Sequence, residues 1–159
     1  MIFASDLKSF GAIDQQTPDQ QRLRSNILGL AYYDCTTGNS ILIAEVQDSR
    51  GELISSNQVL YPNAFHGLNA DVRYTYRKGC FEQDVILRAQ PPSPELYGLN
   101  LESVELEVIT EFINPPKETV RVSDRTKQPA GEADEDIAWG QMHIGHGKAF
   151  DLGLSLIHI

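Results

Sequence analysis

The sequence predicts an all-β protein, an antiparallel β-sandwich or partly closed barrel of about seven to nine short strands. Three observations carry that expectation. Short runs rich in Val, Ile, Leu, Tyr and Phe recur along the chain, with turn-forming residues roughly every ten positions. Within several of these runs apolar and polar residues alternate, which is the period of a strand with one wet face. Apart from residues 1–24, no segment places apolar residues at convincing helical spacing. No internal repeat of fixed length occurs. The Cys, Trp, Cys order of an antibody-type domain is absent too, because Trp139 follows both Cys35 and Cys80.

Residues 1–26 read as a flexible or short helical lead-in, since the stretch 5–26 is polar, rich in Gln and Asp, and poor in regularly spaced apolar residues. The β-sandwich module is expected over 27–153. It opens with ILGLAYY (27–33), a turn at Thr36, Thr37, Gly38 and Asn39, and SILIAEV (40–46), which together read as a hairpin. After the turn at Ser49, Arg50 and Gly51, residues 52–65 suggest one or two short or irregular strands, interrupted at Ser55, Ser56 and Asn57 and closed by Pro62 and Asn63. The cleanest alternation follows in DVRYTYR (71–77). Lys78 and Gly79 then turn the chain into FEQDVILR (81–88), giving an antiparallel hairpin.

Pro91, Pro92 and Pro94 break regular structure, and Tyr97 sits in a surface loop as a packed tyrosine. In the next strand Val104, Leu106, Val108, Thr110 and Phe112 fall on one side and Glu105, Glu107 and Glu111 on the other. Ile109 and Ile113 are exceptions to that division. Pro115 and Pro116 end the strand, because proline cannot donate to a ladder. Residues 117–136 are mostly charged and read as an exposed excursion. Residues 137–140, 142–144 and 148–153 read as a final hairpin.

At 159 residues and 41% hydrophobic, the chain suits one domain with a sizeable core. The formal charge of -9 repels phosphate backbones and anionic membranes, and the basic residues are scattered rather than clustered. Nucleic acid is therefore not an expected partner. Membrane insertion of this segment is not expected either, because no apolar run approaches the roughly 18 residues a spanning helix needs. The first residues lack the positive leading region and long apolar stretch of a secretory signal. Two cysteines are too few for a disulfide framework and wrongly spaced for zinc, so Cys35 and Cys80 read as unpaired thiols, a disulfide between them being the alternative if the two strand ends are neighbours in an oxidising compartment.

Glu82 and Asp84 share the outward face of one strand, opposite Asp71 and Arg73 on its hairpin partner. Paired carboxylates can perform glycosidase acid and base chemistry, but cross-strand ion pairing is the expected role here. Glu105, Glu107 and Glu111 read as a solvated face. The acidic run Glu132, Asp134, Glu135 and Asp136 could offer oxygens to calcium, yet it lacks the spacing of a calcium loop. His143 and His146 would converge only across a tight glycine turn. Asp134, Asp136, His143 and His146 are thus weak metal candidates, and no cofactor or catalytic residue is expected. No Gly-x-Ser-x-Gly elbow, phosphate loop or dinucleotide fingerprint occurs. Tyr32, Tyr33, Tyr61, Tyr74, Tyr76 and Tyr97 could include a sugar-stacking platform, with Tyr74 and Tyr76 on one face, but that face is apolar and burial is expected.

The segments ADVRYTY (70–76), FEQDVILR (81–88), YGLN (97–100) and TEFINPP (110–116) resemble a β-rich region of very large, predicted secreted proteins of environmental bacteria. The resemblance spans roughly 30–117, with a weaker echo at 140–153. It implies a module of a long extracellular or cell-surface chain, and brings no catalytic residues with it. The last residues, LSLIHI (154–159), resemble the translation of an adapter used to fragment DNA for sequencing. That resemblance implies a truncated fragment whose tail stands outside the fold, the alternative being a genuine apolar final strand of Leu154, Leu156 and Ile157. The expected function is a non-catalytic structural or interaction module, with other domains of the same parent chain as partners. A carbohydrate-binding module taking glycan is the alternative, and a partial hydrolase without its catalytic half a second one.

Overall fold

The computed structural model describes residues 1–117, 120–123, 135–145, 147–150 and 156–157. Its strands are β1 (Ile2–Phe3), β2 (Ile13–Gln16), β3 (Arg22–Asp34), β4 (Asn39–Glu45), β5 (Glu52–Ser55), β6 (Gln58–Tyr61), β7 (Ala70–Arg77) and β8 (Cys80–Leu87). After a single 3₁₀ turn at Pro94–Tyr97 come β9 (Val104–Ile113), β10 (Val120–Ser123), β11 (Glu135–Trp139), β12 (Met142–Ile144), β13 (Ala149–Phe150) and β14 (Leu156–Ile157). The chain is all-β with antiparallel pairing throughout, and no sheet among the described residues closes into a barrel.

The thirteen-residue β3 organises the main sheet. β9 runs along one side of it, while β2 and then β4 share the other, and β1 extends the sheet beyond β2. Directly opposed residues share a face, so the register sorts the side chains. Ser25 stands between Ile13 and Phe112, which puts Leu23, Ser25 and Ile27 on the inner face. Arg24, Asn26, Glu111 and Ile113 lie on the outer one. The β3–β9 register then shifts between Ile27 and Gly29, leaving Leu28 as an extra residue. This bulge resets the alternation. Leu30 and Tyr32 continue the inner face beyond it, and Gly29, Ala31 and Tyr33 continue the outer face.

The second sheet is the meander β5–β6–β7–β8, and the main core lies between it and the inner face. Ile13, Ile27, Leu30 and Ala44 from the main sheet meet Tyr61, Val72 and Tyr74 from the meander. Phe3 locks the two together: its ring stacks on Tyr74 at 5.8 Å, and Tyr74 stacks on Phe81 at 5.4 Å. Burying each such large side chain contributes about 1.5–3 kcal/mol. Polar ties cross the same gap. The Tyr61 hydroxyl donates to the Ala4 carbonyl at 2.6 Å, and Gln83 Nε2 donates to Thr110 Oγ1 at 3.1 Å.

A smaller core continues along the same face of β3. Leu23 and Phe112 pack against Trp139 and Met142 of the sheet β10–β11–β12, with the Phe112 and Trp139 rings 5.2 Å apart. β13 and β14 pair as a separate ribbon.

The lead-in expected at 1–26 is corrected by this arrangement. It contributes β1, β2 and the start of β3, and Leu7 and Ile13 are buried in the main core. Its apolar residues are too irregularly spaced to mark a strand locally. Gly11, at φ 66°, supplies the left-handed turn that returns the chain into β2. The wet face expected of β7 is also half covered, since Asp71 and Thr75 are buried. The excursion at 117–136 and the tail at 154–159 lie largely outside the described residues. Within them the backbones of Val120–Ser123 and Leu156–Ile157 pair as strands.

Candidate functional site

Cations already hold the hairpin carboxylates. Arg73 Nη2 reaches Asp84 Oδ2 at 2.9 Å and Arg77 Nη1 reaches Glu82 Oε1 at 3.2 Å. Asp71 turns instead to Arg88, at 2.8 Å, and its second oxygen accepts the Asn63 amide at 2.9 Å. Cross-strand pairing accounts for Asp84 and Glu82, and Arg88, just past the end of β8, accounts for Asp71.

Of the four metal candidates, only His143 has a described side chain. His143 is exposed on β12, Asp136 pairs through its backbone with Val122, and Asp134 and His146 lie outside the described residues. Among the described residues no group of three or more His, Cys, Asp or Glu could hold a metal ion. Cys35 and Cys80 are free and exposed. Although the residue is exposed, slight desolvation of its sulfur and the neighbouring Glu105 carboxylate push the Cys35 thiol up, away from the nucleophilic thiolate.

Tyr74 and Tyr76 form no platform. Tyr74 is wholly buried in a three-ring cluster with Phe3 and Phe81, while Tyr76, two residues nearer the hairpin turn, is 43% exposed. Tyr61, Tyr32 and Trp139 are buried, and the Tyr32 hydroxyl donates to the Pro92 carbonyl at 2.7 Å.

The bulge instead creates a site that none of those residues announces. On the outer face, where β4, β3 and β9 lie side by side, an open groove of about 550 Å³ is floored by Leu28, Leu42 and Ile109. Leu28 is 40% and Leu42 51% exposed. Gly29 makes the floor close-fitting. A Cβ there would lie 2.4 Å from the Ala44 carbonyl oxygen and 2.8 Å from Leu42 Cδ1, so only glycine lets β4 and the Leu42 side chain approach this far.

One wall is the loop between β1 and β2, which carries Lys8 and Phe10. Asn26 holds this loop with both ends of its amide. Its Oδ1 accepts the Gly11 N–H at 2.7 Å, and its Nδ2 donates to the Ser9 carbonyl at 2.7 Å. Phe10 therefore stands 77% exposed on an anchored backbone, with the Arg24 guanidinium 5.7 Å from its ring centre. Glu45 and Glu111 form the remaining rim. Glu107 lies on the same face, opposite Ala31, and accepts from Ser40 Oγ at 3.0 Å across β3.

Of these residues the sequence singles out only Glu107, Glu111 and Ile109, which with Ile113 is an apolar exception on a glutamate face. Ile109 was the readable signal. Phe10 and Asn26 gave none, because their roles depend on a loop contact between residues 15 and 17 positions apart. No family model, curated protein or solved structure matches the chain.

Proposed function

We propose that the chain is a non-catalytic interaction module of a larger secreted or surface protein, and that it binds its partner through the outer-face groove. The observation that carries this reading is the gathering of Phe10, Leu28 and Leu42, all exposed, around Ile109. Contiguous exposed apolar surface rimmed by polar groups marks interaction sites. The groove's volume lies in the range of about 300–1,000 Å³ usual for binding sites. Its parts are also held in place, by Gly29 below and Asn26 at the wall, which lowers the entropy lost on binding.

The larger secreted setting rests on the sequence resemblance, and the non-catalytic reading on the guanidinium partners of Asp71, Glu82 and Asp84. A glycan module is less well supported, since the groove offers one aromatic ring, Phe10, rather than the pair that flat sugar stacking uses.

Selection from a random displayed peptide library and a glycan array tests the reading. Ligands retained by the wild type are expected to be lost by about tenfold or more, roughly 1.4 kcal/mol, in both Phe10→Ser and Leu42→Ser, with Tm unchanged. Ligands bound equally by the variants, or none selected at all, would remove the groove from consideration.

A further inference from the structure

We infer that the groove takes a short segment of a partner protein in which apolar side chains are accompanied by Lys or Arg. This inference rests on the interaction-module reading and adds the partner's chemistry. The floor sets the apolar requirement: Leu28, Leu42 and Ile109 offer no hydrogen-bonding side-chain group, so only apolar groups replace water there without loss. The surroundings set the charge.

Glu45 stands opposite Gly29 on β4, Glu111 opposite Asn26 and Glu107 opposite Ala31 on β9, so carboxylates flank the floor on both sides of β3. Ion pairs among the described residues join Arg22 to Asp14, Arg73 to Asp84, Arg77 to Glu82 and Arg88 to Asp71, and none of them involves these three glutamates. Of the two cations nearby, Arg24 lies over the Phe10 ring, leaving Lys8 at the loop end. A cationic ligand thus meets three carboxylates against the two cations Lys8 and Arg24, the second of them set over the Phe10 ring.

The same charges argue against other occupants. A second copy of this chain would bring a formal charge of -9 to a carboxylate-rimmed site, and like charges juxtaposed at an interface disfavour binding. An acidic peptide meets the same repulsion.

Titration of the isotopically labelled chain followed by amide NMR tests this, with four probes: capped eight-residue peptides alternating Leu with Lys, Leu with Glu and Ser with Lys, and cellohexaose. The Leu/Lys peptide is expected to shift the amides of Leu28, Leu42, Ile109 and Glu111 and to bind about tenfold or more tighter than either other peptide. Its affinity should fall as salt is raised, because exposed charge pairs are screened within about 8 Å at physiological ionic strength. Leu42→Ser should abolish the shifts. The double variant Glu45→Gln, Glu111→Gln should weaken binding and flatten the salt dependence.

Equal binding of the Leu/Glu or Ser/Lys peptide at the groove would overturn the inference while leaving the groove as a binding site. Cellohexaose shifting these amides when no peptide does would also overturn it, in favour of a glycan. No response to any probe would overturn it as well, and the library selection separates that outcome from failure of the groove itself.

Discussion

Arg88 grips Asp71 through two nitrogens, Nε at 2.9 Å and Nη2 at 2.8 Å from the same carboxylate oxygen, while the other oxygen of Asp71 accepts the Asn63 amide. The Asp71 side chain is almost wholly buried and Arg88 is about half exposed. The pair ties the end of the β7–β8 hairpin to the turn after β6. Removing the cation leaves a buried carboxylate with one donor, whereas the Arg77–Glu82 pair is exposed on both sides. Arg88→Ala is therefore expected to destabilise by about 1–3 kcal/mol, and Arg77→Ala by about 0–1 kcal/mol. Urea denaturation of both variants checks this. Equal losses would show that burial of Asp71 does not govern the pair.

Tyr61 and Tyr74 sit edge to face, 5.8 Å apart in the core, with opposite fates for their hydroxyls. That of Tyr61 donates to Ala4, and that of Tyr74 is buried with no hydrogen-bond partner among the described residues. Tyr61→Phe is expected to destabilise by about 0.5–1.5 kcal/mol. Tyr74→Phe removes a polar atom from apolar surroundings and is expected to leave stability unchanged or raise it by about 1 kcal/mol.

Both phenols also set an alkaline limit. Burial pushes Tyr61 up from its ordinary 10.0 to about 12, and pushes Tyr74 up further. A raised pKa means that the folded state holds the proton longer, so the stability linked to it is complete below pH 10 and is lost as pH rises through the folded values. The stability gained in Tyr74→Phe should thus grow above pH 10. A gain that stays constant to pH 12 would contradict the linkage.

The acid limit comes from Asp34 and Asp14. The Thr36 amide first, with the Thr37 and Ser103 hydroxyls, holds the Asp34 carboxyl below its ordinary 3.8. A hydrogen bond from Arg22 does the same for Asp14, donated by Nε at 2.7 Å. Depressed values give stability that is present above pH 3.8 and lost as pH falls through the folded values. The loss of stability in Asp34→Asn should accordingly shrink below that pH. Urea midpoints between pH 2 and 6 for wild type and variant measure it.

What the sequence made legible was whatever alternates locally. The β7–β8 hairpin and the two faces of β9 follow from period two alone, and the register places Glu105, Glu107 and Glu111 on one side as that period requires. Residues 1–26 carry no local strand signal because Leu7 and Ile13 gain their partners from strands far along the chain. The groove was invisible for a similar reason. A bulge at Leu28 and a loop hung on Asn26 have no local period, so only the stray Ile109 and Ile113 on a glutamate face hint that this surface is not simply solvated.

Gly29 joins the fold to the groove, which makes it the most informative single position. Its neighbours are a backbone carbonyl and a leucine tip, and of these only Leu42 can swing away, whereas the Ala44 carbonyl is fixed by the β3–β4 ladder. Gly29→Ala must then push the two strands apart beside the bulge, a form of overpacking that costs about 1–3 kcal/mol. Displacing Leu42 would also tilt one side of the groove floor, so the variant should bind groove ligands more weakly than its stability loss explains. Leu42→Ala in the same background separates the two effects. If the clash with the leucine tip dominates, the double variant recovers part of the stability; if the carbonyl dominates, it recovers none.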